Sequence, residues 1–161
     1  MTGSTGIPDS ILVRLAAQPD ALAAIVGGVP PEVLDARPPS GEWSARENLA
    51  HLARHAEVFL RRLERILAED RPPLGRYRAE EDPEWTAWSR LPLPDVLRRL
   101  AENRARLIAW ARSLSSAQAE RTGLHPTFGE MTVPRWLEFF LLHEAHHLYV
   151  VMLRVGEVRR R

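Results

Sequence analysis

A chain of 161 residues with a formal net charge of +1 is long enough to bury one core. It has no electrostatic reason to seek nucleic acid or an anionic membrane surface. With no cysteine and an ordinary share of hydrophobic residues, it excludes disulfides, thiolate ligands and a Cys nucleophile, and it fits a globular protein of the reducing cytoplasm. All 22 basic residues are Arg, a bias that a GC-rich genome explains.

Residues 1–161 read as a single domain, with 1–7 and 157–161 expected to be flexible. Residues 1–10 lack a basic segment followed by an apolar one, so no secretory signal is expected. The first helix is predicted over residues 8–26, with Asp9 or Ser10 as N-cap, an interruption at Pro19, and a stop at Gly27-Gly28 and Pro30-Pro31. The second starts at a capping box, Ser44 with Glu47, and continues to about residue 70, before Arg71-Pro72-Pro73. Residues 72–92 form a Pro-, charge- and Trp-containing link with one short helical turn near 82–89. A third helix runs from Pro94-Asp95 to about 113. Residues 115–129 read as an irregular link. The last helix begins at Thr132 as cap, with Pro134 in its first turn, and ends near Gly156. Its apolar run is broken by Glu138, Glu144, Arg154 and three histidines, which makes it a core helix and not a membrane span. No alternating strand pattern, repeat or low-complexity block is visible.

A link of about 20 residues is long for two adjacent antiparallel helices. It predicts a crossover. Four helices of this size enclose one core by packing side by side, which gives an all-α four-helix bundle.

His143 and His147 stand four residues apart on the last helix, so they share one face within reach of a single metal ion. Trp136, Phe140 and Val150 lie near the same direction, which points the pair into apolar surroundings. The plain alternative is two core imidazoles bonded to backbone or water. His51 and His55 repeat the spacing on the second helix. Measured from its apolar stripe, His51 reads as solvated and His55 as a boundary residue. A four-His cluster is also permitted by spacing. His125, in His125-Pro126-Thr127-Phe128-Gly129, reads as a structural or exposed turn residue that a loop over the bundle end could deliver to a pocket. His146 reads as a core or rim hydrogen-bonder.

Taken in order, Trp43-Ser44-x-x-Glu47-x-x-x-His51-Leu52, Asn103-Arg104, His125-Pro-x-x-Gly129-x-x-Thr132 and His143-x-x-x-His147 resemble the DinB-like (damage-inducible, YfiT-like) superfamily of metal-dependent bundles. The match spans nearly the whole chain. The resemblance implies an up-down-down-up bundle and a divalent metal held by His51, His143 and His147, with His55 and His146 outside the triad. It also implies a homodimer, and in several branches a transferase using a low-molecular-weight thiol.

Three neutral imidazoles leave a divalent ion its full charge and an open position, the arrangement of a catalytic site. Zn²⁺ suits such donors first, with Ni²⁺ or Fe²⁺ as alternatives. The open position can lower the pKa of water for hydrolysis or hold an external thiol as thiolate. Having no cysteine, the chain must take any attacking sulfur from a cosubstrate. Arg46, Arg54 and Arg104 are candidates for gripping carboxylates, although a solvated helix face is the favoured reading of each. Glu47 or Glu144 is a candidate to orient an imidazole. Trp43, Trp85, Trp88, Trp110 and Trp136 read as core or rim packing, with Trp85 and Trp88 able to cap a pocket or a dimer surface. The expectation is a metal-dependent enzyme acting on a small molecule. The alternatives are a bundle that binds metal or partner without turnover, and a stress-related protein that sequesters a ligand.

Overall fold

Residues 6–160 are described by the structure, a computed structural model. Pro19 removes the backbone donor that a continuous first helix needs, so the chain forms α1 (Asp9–Ala17) and α2 (Pro19–Val26) with Gln18 at the joint. After a short α3 (Pro31–Asp35), the capping box starts α4 (Ala45–Ala68): Ser44 Oγ accepts from the Glu47 amide and the Glu47 carboxylate accepts from the Ser44 amide. A 3₁₀ turn (Ala79–Glu81) and α5 (Trp85–Trp88) interrupt the following link. Then come α6 (Leu93–Ser113), α7 (Ser116–Ala119), an antiparallel hairpin of β1 (Thr122–His125) and β2 (Gly129–Thr132), and α8 (Val133–Arg159).

Two core clusters fix the directions. At one end Phe59, Leu63, Leu107, Trp136, Leu137 and Ile11 pack together. At the other, Leu49, Leu52, Val96, Leu148 and Val151 do so, with Leu22 against them. Residue numbers rise from the second cluster to the first along α4 and α6, and fall along α8 and the α1–α2 pair. The order is up-down-down-up, with α1 and α2 serving as one broken helix. Adjacent parallel helices cannot be joined by a tight turn, so residues 69–92 travel back along the length of α4.

This crossover is pinned at three places. Leu74 N donates to Leu124 O at 2.9 Å and Leu124 N to Pro72 O at 2.9 Å. Arg54 grips Asp82 with two donors, Nε to Oδ2 at 2.6 Å and Nη2 to Oδ1 at 3.1 Å. Arg46 Nη1 donates to Ser89 O at 2.7 Å and Leu91 O at 3.1 Å. Tyr77 joins the middle anchor, its hydroxyl donating to Asp82 Oδ2 at 2.9 Å. The result is a wall of chain laid across the face of α4 that carries His51 and His55.

Several expectations are corrected. The hairpin replaces the irregular link over 115–129; its strands are four residues each, too short to show alternation, and Gly129 takes the left-handed conformation (φ 70°) that closes the turn. Pro8, not Asp9 or Ser10, is the N-cap of α1. Thr132 occupies the N-cap of α8 without a side-chain bond, and that helix continues past Gly156 to Arg159. Of the leader expected to be loose, residues 1–5 lie outside the described residues. Gly6 N bonds Leu114 O at 3.0 Å and Ile7 is buried in the core. Among the described residues no helix is long and apolar enough to cross a membrane.

Candidate metal centre

Antiparallel packing of α4 on α8 brings His51 against His143 and His147, with one ligand-capable atom from each lying within 4.8 Å of the others. Nε2 of His51 and Nε2 of His143 face one another at 3.3 Å. Ring centroids stand 4.4 Å apart for His51 and His147 and 4.7 Å for His143 and His147. Burial disfavours a charged imidazole here, and the neighbouring rings add to it. His51 is pushed down to about 2 by burial and then by His147 and His143. His143 falls to about 3 through burial, His147 and His146, and His147 to about 4 through burial and His146. All three are neutral at pH 7, the state that ligates a cation.

The donor set fits a divalent ion. Two nitrogens each about 2.05 Å from one tetrahedral ion stand about 3.3–3.4 Å apart, the separation of the facing Nε2 atoms. Nδ1 of His51 and of His143 is buried with no hydrogen-bond partner among the described residues, so there no protein group fixes the tautomer of these two rings. The third ring is held. His147 Nδ1 lies 3.0 Å from Asn48 Oδ1, and Asn48 Nδ2 donates to Ser44 O at 2.9 Å. That second bond fixes which end of the amide faces the imidazole, so the proton sits on Nδ1 and the Nε2 lone pair is free.

His51 is 6% exposed and His55 2%, against the solvated and boundary positions that periodicity assigned. The covering groups come from elsewhere in the chain. Tyr77 stacks on His51 at 5.7 Å and Trp85 meets it edge-on at 6.2 Å. His55 lies outside the triad, its ring 4.0 Å from His143 and against Phe59 and Phe140. His146 lines the cavity rim, exposed, and is not a core residue. The hairpin delivers His125 to the same cavity.

The three candidate arginines do not form a solvated face, nor do they reach the triad. Arg54 and Arg46 anchor the crossover, and Arg46 also pairs with Asp35. Arg104 is buried against another face of α8, paired with Glu144 and donating to Leu15 O. Glu144 also accepts from Gln18, and Glu47 from Arg37, so neither carboxylate orients a triad imidazole. Trp43 and Trp85 pack at a tilt (ring centroids 4.8 Å apart, 39° between planes) beside His51, while Trp88 is buried under Arg99. Sequence reasoning missed Asn48, Tyr77, Arg62 and Arg76. Asn48 was recoverable, since three residues before His51 on a helix is the same face.

Known proteins share this chain's fold and part of its sequence. Residues 14–151 match the DinB superfamily. A protein of Oceanobacillus iheyensis, provisionally named a metal-dependent hydrolase, is 30% identical over 118 residues, 73% of this chain and 67% of its own. YuaE of Bacillus subtilis, uncharacterized, is 31% identical over 138 residues, 75% of this chain and 82% of its own. Among solved structures, YfiT of Bacillus subtilis, described as a probable metal-dependent hydrolase with an unusual four-helix bundle topology, superposes with a TM-score of 0.72 at 26% identity, over 95% of this chain and 86% of that one. The four-helix bundle protein TT2238 gives 0.66 at 28% identity, over 90% and 98%. With the family match spanning most of the chain and the bundle topology in agreement, the chain belongs to the DinB superfamily.

Proposed function

We propose that this protein is a metal-dependent hydrolase of a small molecule, with a divalent cation held by His51, His143 and His147. The observation that carries the reading is the triad itself: three neutral imidazoles, that of His51 buried and those of His143 and His147 half-buried, converging from two helices with no carboxylate among them. Zn²⁺ is the first choice and Ni²⁺ the second, on the preference of each for imidazole nitrogen. A bound ion with three such ligands supplies Lewis acidity at its open position, enough to bring water within reach of deprotonation near neutral pH.

The chain's own residues set the conditions. Asn48 holds the His147 ring in the tautomer that presents Nε2. Tyr77 and the Trp43–Trp85 pair cover His51 and exclude bulk water from that side. The Tyr77 hydroxyl is committed to Asp82, and both that bond and burial push its pKa up; it orients the wall and does not act as an acid. The aromatic cavity of about 760 Å³ is the size of a small-molecule site.

Metal-reconstituted protein assayed against activated esters and amides, with and without added low-molecular-weight thiols, tests the proposal. Turnover that needs metal and no thiol supports hydrolysis. Turnover only with thiol transfers the reaction to a thiol transferase. Metal binding without turnover across the panel favours the non-catalytic, ligand-binding alternative. The proposal extends to a homodimer through the outer face of α8, where Leu142, Tyr149 and Leu153 are exposed on one stripe with His146.

A further inference from the structure

The cavity that opens on the triad is chemically two-ended. At one end stand the histidines. At the other, beneath the hairpin, Arg62 and Arg76 line the wall. Arg62 lies on the same stripe of α4 as His51 and His55, eleven and seven residues on, and helix side chains lean toward the N-terminus, here toward the triad. Its Nη2 donates to Gly75 O. Neither arginine forms an ion pair among the described residues. Arg78, the third basic residue of the lining, is paired with Glu81 at 3.2 Å, and Glu80, the acidic residue of the lining, stands beyond ion-pair reach of both.

A half-buried guanidinium without a carboxylate is costly unless a ligand supplies the counter-charge. Burial already weighs against the charge of Arg62. A third donor adjoins the pair. His125 Nδ1 accepts from the amides of Thr127 (3.0 Å) and Phe128 (3.1 Å), which puts its proton on Nε2. Burial, with Arg62 and Arg76 nearby, keeps the ring neutral. That end of the cavity therefore offers donors and positive charge.

We propose that Arg62 and Arg76, with the Nε2–H of His125, form a subsite for the anionic group of the substrate, whose reacting end lies at the triad. The substrate class is a small acid, carboxylate or phosphate at its far end, with an apolar or aromatic middle lying along Tyr77, Phe128 and Phe139. This rests on the metal reading above for its other end only.

The test uses bifunctional probes on Zn²⁺-loaded protein: alkyl hydroxamates, which bind metal, carrying a terminal carboxylate, a terminal phosphonate, or a neutral methyl amide, over a series of chain lengths. At one optimal length an acidic probe binds about tenfold tighter than its neutral counterpart, a charge-assisted contact. The better of the two acids names the anion. The advantage disappears in Arg62→Gln/Arg76→Gln, while the neutral probe binds as before. Equal affinity of acidic and neutral probes at every length overturns the subsite and leaves the metal reading standing. If no hydroxamate binds, the metal reading has failed, and the subsite is judged on metal-free protein. There, phenylglyoxal labelling mapped by mass spectrometry is slowed about threefold or more at Arg62 and Arg76 by millimolar suberate or phenylphosphonate, with exposed Arg98 as the unprotected control. No protection overturns it.

Discussion

Asn48→Ala isolates what orientation contributes to the site. The Asn48 amide is a relay: Nδ2 is anchored on Ser44 O at 2.9 Å, and Oδ1 reaches His147 Nδ1 at 3.0 Å. Truncation removes both bonds, lets the His147 ring choose either tautomer, and frees its rotation. Groups in this position on metal-binding histidines alter affinity by about 10–100-fold, which is about 1.4–2.7 kcal/mol. The upper half of that range is expected, because among the described residues Asn48 is the one hydrogen-bond partner of a triad Nδ1. Competition titration of Zn²⁺ against a chromophoric chelator measures it directly. Asn48→Leu, which keeps the bulk, should weaken the metal by a similar factor. An unchanged zinc affinity in folded Asn48→Ala refutes the reasoning, since it means that His147 is oriented by something else.

Other outcomes follow from the same contacts. Arg104→Met leaves the Glu144 carboxylate buried with Gln18 as its one remaining side-chain partner among the described residues; stripping one partner from a buried pair costs about 3–5 kcal/mol, read as a lower urea midpoint, with zinc affinity nearly unchanged. In metal-free protein, His51, His143 and His147 titrate at about 2, 3 and 4, against about 6.5 in the unfolded chain. Between pH 6.5 and 4 the unfolded state binds protons that the native state does not, so stability is lost as pH falls through that window. Urea melts from pH 7 to 4.5 should show the decline, and a shallower one in the triple variant His51→Gln/His143→Gln/His147→Gln; a level wild-type profile contradicts the burial argument. Tyr149→Arg/Leu153→Arg should shift light scattering from dimer to monomer without loss of helical content, and a wild-type monomer removes the dimer reading.

The bundle was legible because its helices are punctuated. Pro19, the Ser44–Glu47 box and Pro94 each act over one turn, within reach of sequence reasoning. The crossover was legible from length alone. The position of His51 was not, for a physical reason: helical periodicity measures burial against the bundle core, whereas this ring is buried by a strap of chain that returns along α4 some 30 residues later. The same strap explains Arg54. On a helix wheel it is a polar position, and the partner that buries it, Asp82, lies in a segment with no periodicity to read. The hairpin escaped because four-residue strands are set by the pairing of Gly123 with Met131 and their neighbours, a contact that neither strand declares by itself. His143 and His147 needed no such help, since one helix supplies both.

X-ray absorption at the metal edge, on protein purified without an affinity tag, tests the central claim most directly. The account predicts about one divalent ion per chain with three imidazole nitrogens and at least one further oxygen ligand, lost in His51→Ala as completely as in His143→Ala or His147→Ala. An ion that persists with full occupancy in His51→Ala, or no bound ion in protein supplied with Zn²⁺ and Ni²⁺, contradicts it.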